Sequence, residues 1–176
     1  LARVSNNLES LGDWLNATVN NASISATKGT VTTNVGDKIQ SIKYKPNLNE
    51  SGPDSFIIQV KNSKDNTTNI TVNVTITPVN DAPVITEGDS KSITMSEDGS
   101  PTPFNLTLNA GDVDGNEITW NIFQSAQNGI ASVEGTGISK TINYVPTANY
   151  HGTDSFVVQI SDGELTDTIT VNVTIE

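Results

Sequence analysis

The chain has 176 residues and not one cysteine, which removes disulfides, thiolate metal sites and cysteine nucleophiles at once. Its single histidine is His151, so a Ser-His-Asp arrangement would have to use it with an acid such as Asp154. No G-x-S-x-G elbow accompanies it, and no enzyme is expected. Nine Lys and Arg stand against twenty Asp and Glu, a formal net charge of −11. Without a basic stripe there is nothing to neutralise a phosphate backbone, so no nucleic-acid partner is expected. No apolar run approaches about 18 residues, and no charged-then-apolar leader opens the chain, so membrane insertion is not expected either. The chain begins at Leu1, not Met, as a segment of something longer would.

What the sequence does contain is a repeat. Tyr44, Pro46, Asn49, Gly52, Asp54, Ser55 and Phe56 recur as Tyr144, Pro146, Asn149, Gly152, Asp154, Ser155 and Phe156, always 100 positions on. Phe56-Ile57-Ile58-Gln59-Val60 returns as Phe156-Val157-Val158-Gln159-Ile160. After a one-residue slip, Ile70 to Ile76 returns as Ile169 to Ile175. A repeat of this length is a whole domain and not a solenoid unit of 20 to 50 residues. The junction is Pro78-Val79-Asn80-Asp81-Ala82-Pro83-Val84-Ile85, dividing the chain into 1–79 and 80–176.

Period-two alternation dominates both copies. Phe56, Ile58 and Val60, then Ile70, Val72, Val74 and Ile76, fall on one side of their segments while Thr, Gln and Asn fall on the other, the mark of half-buried antiparallel strands. In the second copy Phe104, Leu106 and Leu108 alternate, as do Ile118, Trp120 and Ile122. Short strands separated by Asp98-Gly99, Asp114-Gly115, Asn128-Gly129 and Asp162-Gly163 turns predict an all-β protein of two tandem β-sandwich domains. The first copy reads as truncated: Leu1, Val4, Leu8, Leu11 and Leu15 recur at helical spacing where its opening strands belong, predicting a short N-terminal helix.

The acids gather on loops. Glu97-Asp98, Asp112-x-Asp114-x-Asn116 and Asp162 all lie at strand ends, and the junction adds Asn80 and Asp81. In Asp112-Val113-Asp114-Gly115-Asn116 a glycine turn brings alternate oxygen-bearing side chains toward one centre, which suits a hard cation needing 6 to 8 oxygens. It is no EF-hand, lacking both the closing glutamate and flanking helices. Taken alone, such a loop reads equally well as a hydrophilic turn.

The combination of Val79-Asn80-Asp81-Ala82-Pro83-Val84, Ser96-Glu97-Asp98-Gly99, Asp112-Val113-Asp114-Gly115-Asn116, the Tyr144 to Phe156 run and Ser161-Asp162-Gly163 resembles the cadherin-like, immunoglobulin-like repeats of bacterial surface adhesins. The resemblance covers nearly all of 79–176 and roughly 25–78. It implies an extracellular or cell-surface protein whose partners are neighbouring repeats, with carbohydrate or another cell-surface protein as further partners left open. It also implies Ca²⁺ at the junction of successive repeats. Carried over residue by residue, the ligands would be Asp54 and Glu50 before the linker, Asn80 and Asp81 in it, and Asp112, Asp114, Asn116 and Asp162 after it. Glu97 and Asp154 would serve the far end of the second copy. The first copy departs from the pattern, with Gly12-Asp13-Trp14 where Asp112-x-Asp114 would stand and Asn62 at the position of Asp162. Bare carboxylates crowded at such a joint would repel by roughly 4 kcal/mol per pair at 4 Å in an effective dielectric of 20, so a limp, splayed joint is expected without the ion. The alternative function is a carbohydrate-binding module stacking sugar on Trp14, Trp120, Tyr144 or Tyr150, although Trp120 runs in phase with Ile118 and Ile122 as a core residue would.

Overall fold

The computed structural model describes residues 18–23, 26–34, 41–61 and 65–176. Among them every regular element is a β-strand, and the chain divides between Val79 and Asn80 into two compact units. The predicted helix, like Asp13, Trp14 and Asn62, lies outside the described residues.

The first unit contains β1 (Thr18–Ser23), β2 (Gly29–Asn34), β3 (Ser41–Pro46), β4 (Gly52–Lys61) and β5 (Thr67–Ile76). Strands β1, β4 and β5 form one antiparallel sheet, and β2 and β3 form a two-stranded ribbon. The second unit contains β6 (Val84–Ile85), β7 (Ser90–Met95), β8 (Leu106–Gly111), β9 (Thr119–Gln124), β10 (Gly129–Ser132), β11 (Ser139–Pro146), β12 (Gly152–Ser161) and β13 (Thr166–Ile175). They make two four-stranded sheets, in the orders β10-β11-β8-β6 and β7-β13-β12-β9. All pairings are antiparallel except β7 on β13.

Alternation explains why two sheets form and face each other. On β13, Ile169, Val171, Val173 and Ile175 are buried, and on β12 Phe156, Val158 and Ile160 are buried too. They meet Leu106, Leu108 and Ala110 of β8 and Ile142 and Tyr144 of β11 in one core with Ile118 and Trp120. Each such side chain removed from water is worth about 1.5–3 kcal/mol, and two amphipathic sheets can bury their stripes only against each other. Trp120 fits this interior because its indole N–H donates to Gly137 O at 2.7 Å.

The sequence repeat is a repeat of five strands. Strands β1 to β5 correspond to β9 to β13 and pair alike, β1·β4·β5 matching β9·β12·β13 and β2·β3 matching β10·β11. At the repeat offset of 100, the place of β8 corresponds to residues 6–11, outside the described residues. Of the alternating Phe104, Leu106 and Leu108, only the last two lie in β8, which starts at Leu106. Phe104 stays half-buried beside it, its ring 5.6 Å from Tyr144 and 6.4 Å from Phe156. The ladder runs on instead to Ala110 and Gly111, which pair with Ile85 and Val84 of β6.

Candidate functional site

Two loops and the linker come together at one end of the second unit. After β8, Asp112 turns the chain. Its Oδ1 accepts the backbone N–H groups of Asp114 at 2.8 Å and Asn116 at 3.2 Å, and Gly115 at φ 78° supplies the left-handed residue the turn needs. Between β12 and β13, Asp162 does the same for the hairpin, with Oδ1 accepting from Glu164 N at 2.7 Å and Leu165 N at 2.6 Å. In both loops an aspartate, Asp112 or Asp162, satisfies backbone donors that the strands cannot.

The linker is tied to both loops. Asn80 Nδ2 donates to Asp162 Oδ2 at 2.7 Å, and Asn116 Nδ2 donates to Asn80 Oδ1 at 2.7 Å. The Asp81 backbone N–H donates to Asp114 Oδ2, also at 2.7 Å. Asn80, Asp81, Asp112, Asp114, Asn116 and Asp162 therefore share one hydrogen-bonded network, although Asn80 and Asp162 are 82 positions apart. The Leu165 N–H, the Asn80 amide and the Glu164 N–H hold the Asp162 carboxyl below the ordinary aspartate range.

One oxygen in this network is left over. Asp112 Oδ2 is buried and accepts no hydrogen bond. A buried carboxylate oxygen without a donor is costly, by about 1–3 kcal/mol or more, and a bound cation would satisfy it. Yet among the described residues no three His, Cys, Asp or Glu side chains are grouped as a metal would need them. The two observations are compatible, because carboxamides and backbone N–H groups stand between these carboxylates, which are joined through donors instead of facing one another. Hard oxygen donors on two loops, one of them orphaned, fit Ca²⁺ chemistry; thiolate or imidazole metals have no ligands here.

Glu50 and Asp54 lie in the first unit, and there the sequence expectation meets a competing use. Asp54 stands opposite Val74, at the end of the sheet leading into the linker, but its oxygens are already occupied. Oδ1 accepts from Thr27 N at 3.1 Å, Thr27 Oγ1 at 3.2 Å and Ser55 N at 2.9 Å, while Oδ2 accepts from Lys28 N at 3.0 Å and Tyr44 OH at 2.7 Å. Asp154 repeats the arrangement: Oδ1 accepts from Gln127 N and Ser155 N, and Oδ2 from Asn128 N and Tyr144 OH. These aspartates anchor a loop to a strand. The donation from Tyr44 OH, aided by the backbone N–H groups, holds the Asp54 carboxyl far below its ordinary range despite some desolvation. For Asp154, burial pushes upward, but the hydrogen bonds outweigh it and the net shift is downward. The expected role of these positions is metal ligation, and the clamp is a second use that the resemblance does not imply. Its signal was present: a Tyr and an Asp ten positions apart in both copies.

The other sequence candidates are placed as follows. Tyr144 is buried in the core, and Tyr150 is half-buried with its OH donating to Thr153 O at 2.8 Å. With Trp120 also interior, three of the four residues proposed to stack on sugar are engaged in packing or internal hydrogen bonds, and Trp14 lies outside the described residues. His151 is exposed, and the Asp154 oxygens are taken by other donors. Glu97 lies beside the end of β13, its N–H donating to Glu176 O at 2.9 Å. Among the described residues no helix is long and apolar enough to cross a membrane.

Comparison with known proteins agrees with this architecture. Cadherin domains 1–4 of protocadherin gamma B7 superpose with a TM-score of 0.54 at 16% identity, over 91% of this chain and 40% of that one. Domains 3–6 of protocadherin gamma B2 give 0.52 at 12%, over 85% and 39%. An endo-fucoidan hydrolase of glycoside hydrolase family 107 gives 0.44 at 16%, over 92% of this chain and 24% of the hydrolase. At these identities the protocadherin likeness is one of fold alone, and the chain spans well under half of each of these structures. No curated protein matches the sequence. The family model described as bacterial Ig domain matches twice, at residues 3–75 and 80–174, one match in each half, and the chain belongs to that family as a tandem of two cadherin-like, Ig-like domains.

Proposed function

We propose that this chain is a non-catalytic, calcium-binding repeat segment of an extracellular bacterial protein, serving as an adhesin arm or spacer whose partners are the repeats on either side. The observation that carries the reading is the network around Asp112. The side chains of Asn80, Asp112, Asp114, Asn116 and Asp162 and the backbone N–H of Asp81, from three separate segments, converge where the linker enters the second unit, and one buried carboxylate oxygen among them has no donor. A hydrophilic turn needs no such convergence.

Asp112, Asp114 and Asp162 would hold the ion with Asp81, and Asn80 and Asn116 would add carboxamide oxygens. Bound calcium would supply one hard positive centre shared among those oxygens. The residues themselves shape the two loops and bring the linker against them. Asp54 keeps its role as a loop anchor within the first unit.

Calorimetric titration of the chain with CaCl₂ tests the reading. Extracellular sites of this type bind at about 10⁻⁴ to 10⁻³ M, and saturable binding in that range is expected, with Asp112→Ala weakening it at least tenfold. Absence of saturable binding in that range, together with unshifted amide resonances for 112–116, would overturn it. Equal affinity in Asp112→Ala would relocate the site.

A further inference from the structure

Carboxylates drawn together without counter-charge repel, and a loose linker would follow. Here they are not bare. Asn80 donates to Asp162 Oδ2 and accepts from Asn116, while Asp81 N–H donates to Asp114 Oδ2, each at 2.7 Å. The first and third of these bonds end on carboxylates of different loops, the β12–β13 hairpin and the β8–β9 turn, so the linker is fastened at two separate points. Hydrogen bonds to a charged acceptor are short and strong.

The residue type matters. A carboxamide carries a donor and an acceptor on one planar group, so Asn80 can answer a carboxylate on one side and an amide on the other. An aspartate at that position would set two carboxylates face to face. Asn116 completes the arrangement because its backbone N–H is already committed to Asp112 Oδ1, which fixes the place from which its side chain reaches Asn80.

We infer that Asn80 and Asn116 form a carboxamide latch that holds linker residues Asn80 and Asp81 on the second unit in the absence of a divalent ion. Loading the site then exchanges N–H donors for metal coordination. The exchange rests on the calcium reading above, whereas the latch does not. The latch also sets the apparent affinity, since the ion competes with bonds already made and the apparent Kd rises as the unlatched, binding-competent fraction falls.

Backbone ¹⁵N relaxation of the full chain in EDTA, then in CaCl₂, tests both halves. In EDTA the wild-type order parameters at Asn80 and Asp81 should match the strands, at about 0.85. In Asn80→Asp they should fall below about 0.6, while Val171 and Ile160 keep their amide shifts as proof of folding. Adding CaCl₂ should reorder Asn80→Asp, which binds calcium severalfold more tightly than wild type because no latch competes. Wild-type order parameters below about 0.6 in EDTA, or Asn80→Asp as rigid as wild type there, would overturn the latch. Calcium that fails to reorder Asn80→Asp, after an EDTA result as expected, would remove the exchange and the calcium reading but leave the latch standing.

Discussion

A carboxylate that accepts five hydrogen bonds, as Asp54 does, is a structural device. The same holds for Asp154 and its partner Tyr144. Removing the hydroxyl in Tyr144→Phe leaves the buried Asp154 without its side-chain donor, and charge-assisted bonds of this kind are worth about 1.5–3 kcal/mol. Urea denaturation should show a loss of that size. The tyrosine ring in turn explains a glycine. A Cβ at Gly129 would sit 2.5 Å from the Tyr144 ring, and Gly29 crowds Tyr44 in the same way. Gly129→Ala should cost about 1–3 kcal/mol by overpacking, measured by the same denaturation. The clamp also predicts two pH limits. Burial, with the bond to Asp54, raises Tyr44 to about 12 from an ordinary value of 10.0, so its contribution is complete below pH 10 and fades as the pH climbs toward 12. Asp54 and Asp162 are depressed, so their contribution is complete above about pH 4 and is lost as the pH falls further. Stability followed by circular dichroism should be level between these limits and decline outside them. Loss of stability centred near pH 6 to 7 would contradict this assignment.

At the level of elements, the strands were legible and their fastenings were not. Period-two alternation over Phe156, Val158 and Ile160 or Ile169, Val171 and Val173 leaves no other element possible, because one residue of slip would turn every apolar side chain outward. Strand β6 is a different case. It has two residues, exposed Val84 and buried Ile85, and pairs only with Gly111 and Ala110. Its second support is Asp167 on β13, whose Oδ2 accepts the Ile85 N–H at 2.8 Å. No local pattern announces a bond between residues 82 positions apart. Asp167→Ala should leave that N–H unpaired at a cost of about 1–3 kcal/mol. Hydrogen exchange at Ile85 should accelerate before that of β12 and β13. If Ile85 keeps its protection, the β8 pairing alone secures the strand.

Across the whole molecule the two domains share a plan but not a quality of core. At matching positions Ile70, Val74 and Val60 are partly buried where Ile169, Val173 and Ile160 are 0%, 1% and 0% exposed. Since stabilisation follows apolar area removed from water, the first unit should be the weaker and unfold first. The chain has two tryptophans, Trp14 and Trp120, and Trp14→Phe leaves Trp120 to report on the second unit alone. Its fluorescence transition should lie at higher urea than the first loss of strand signal by circular dichroism. Coincident transitions would show that the two halves unfold as one.

By itself the amino-acid order determined the all-β character, the tandem repeat and the turns, because alternation, Gly and Asx turn chemistry and self-similarity are all local or linear properties. The set Glu50, Asp54, Asn80, Asp81, Asp112, Asp114, Asn116 and Asp162 is what the resemblance to cadherin-like repeats implies. What only the tertiary structure decided is how each acid is used. Asp54 and Asp154 turned inward to clamp their loops, whereas Asp112 kept one buried oxygen without a donor and Asn80 took the bonds that a bare joint would have lacked. Partners of that kind come from strands and loops distant in sequence, and a carboxylate commits its oxygens to whichever donors the packed sheets bring within reach.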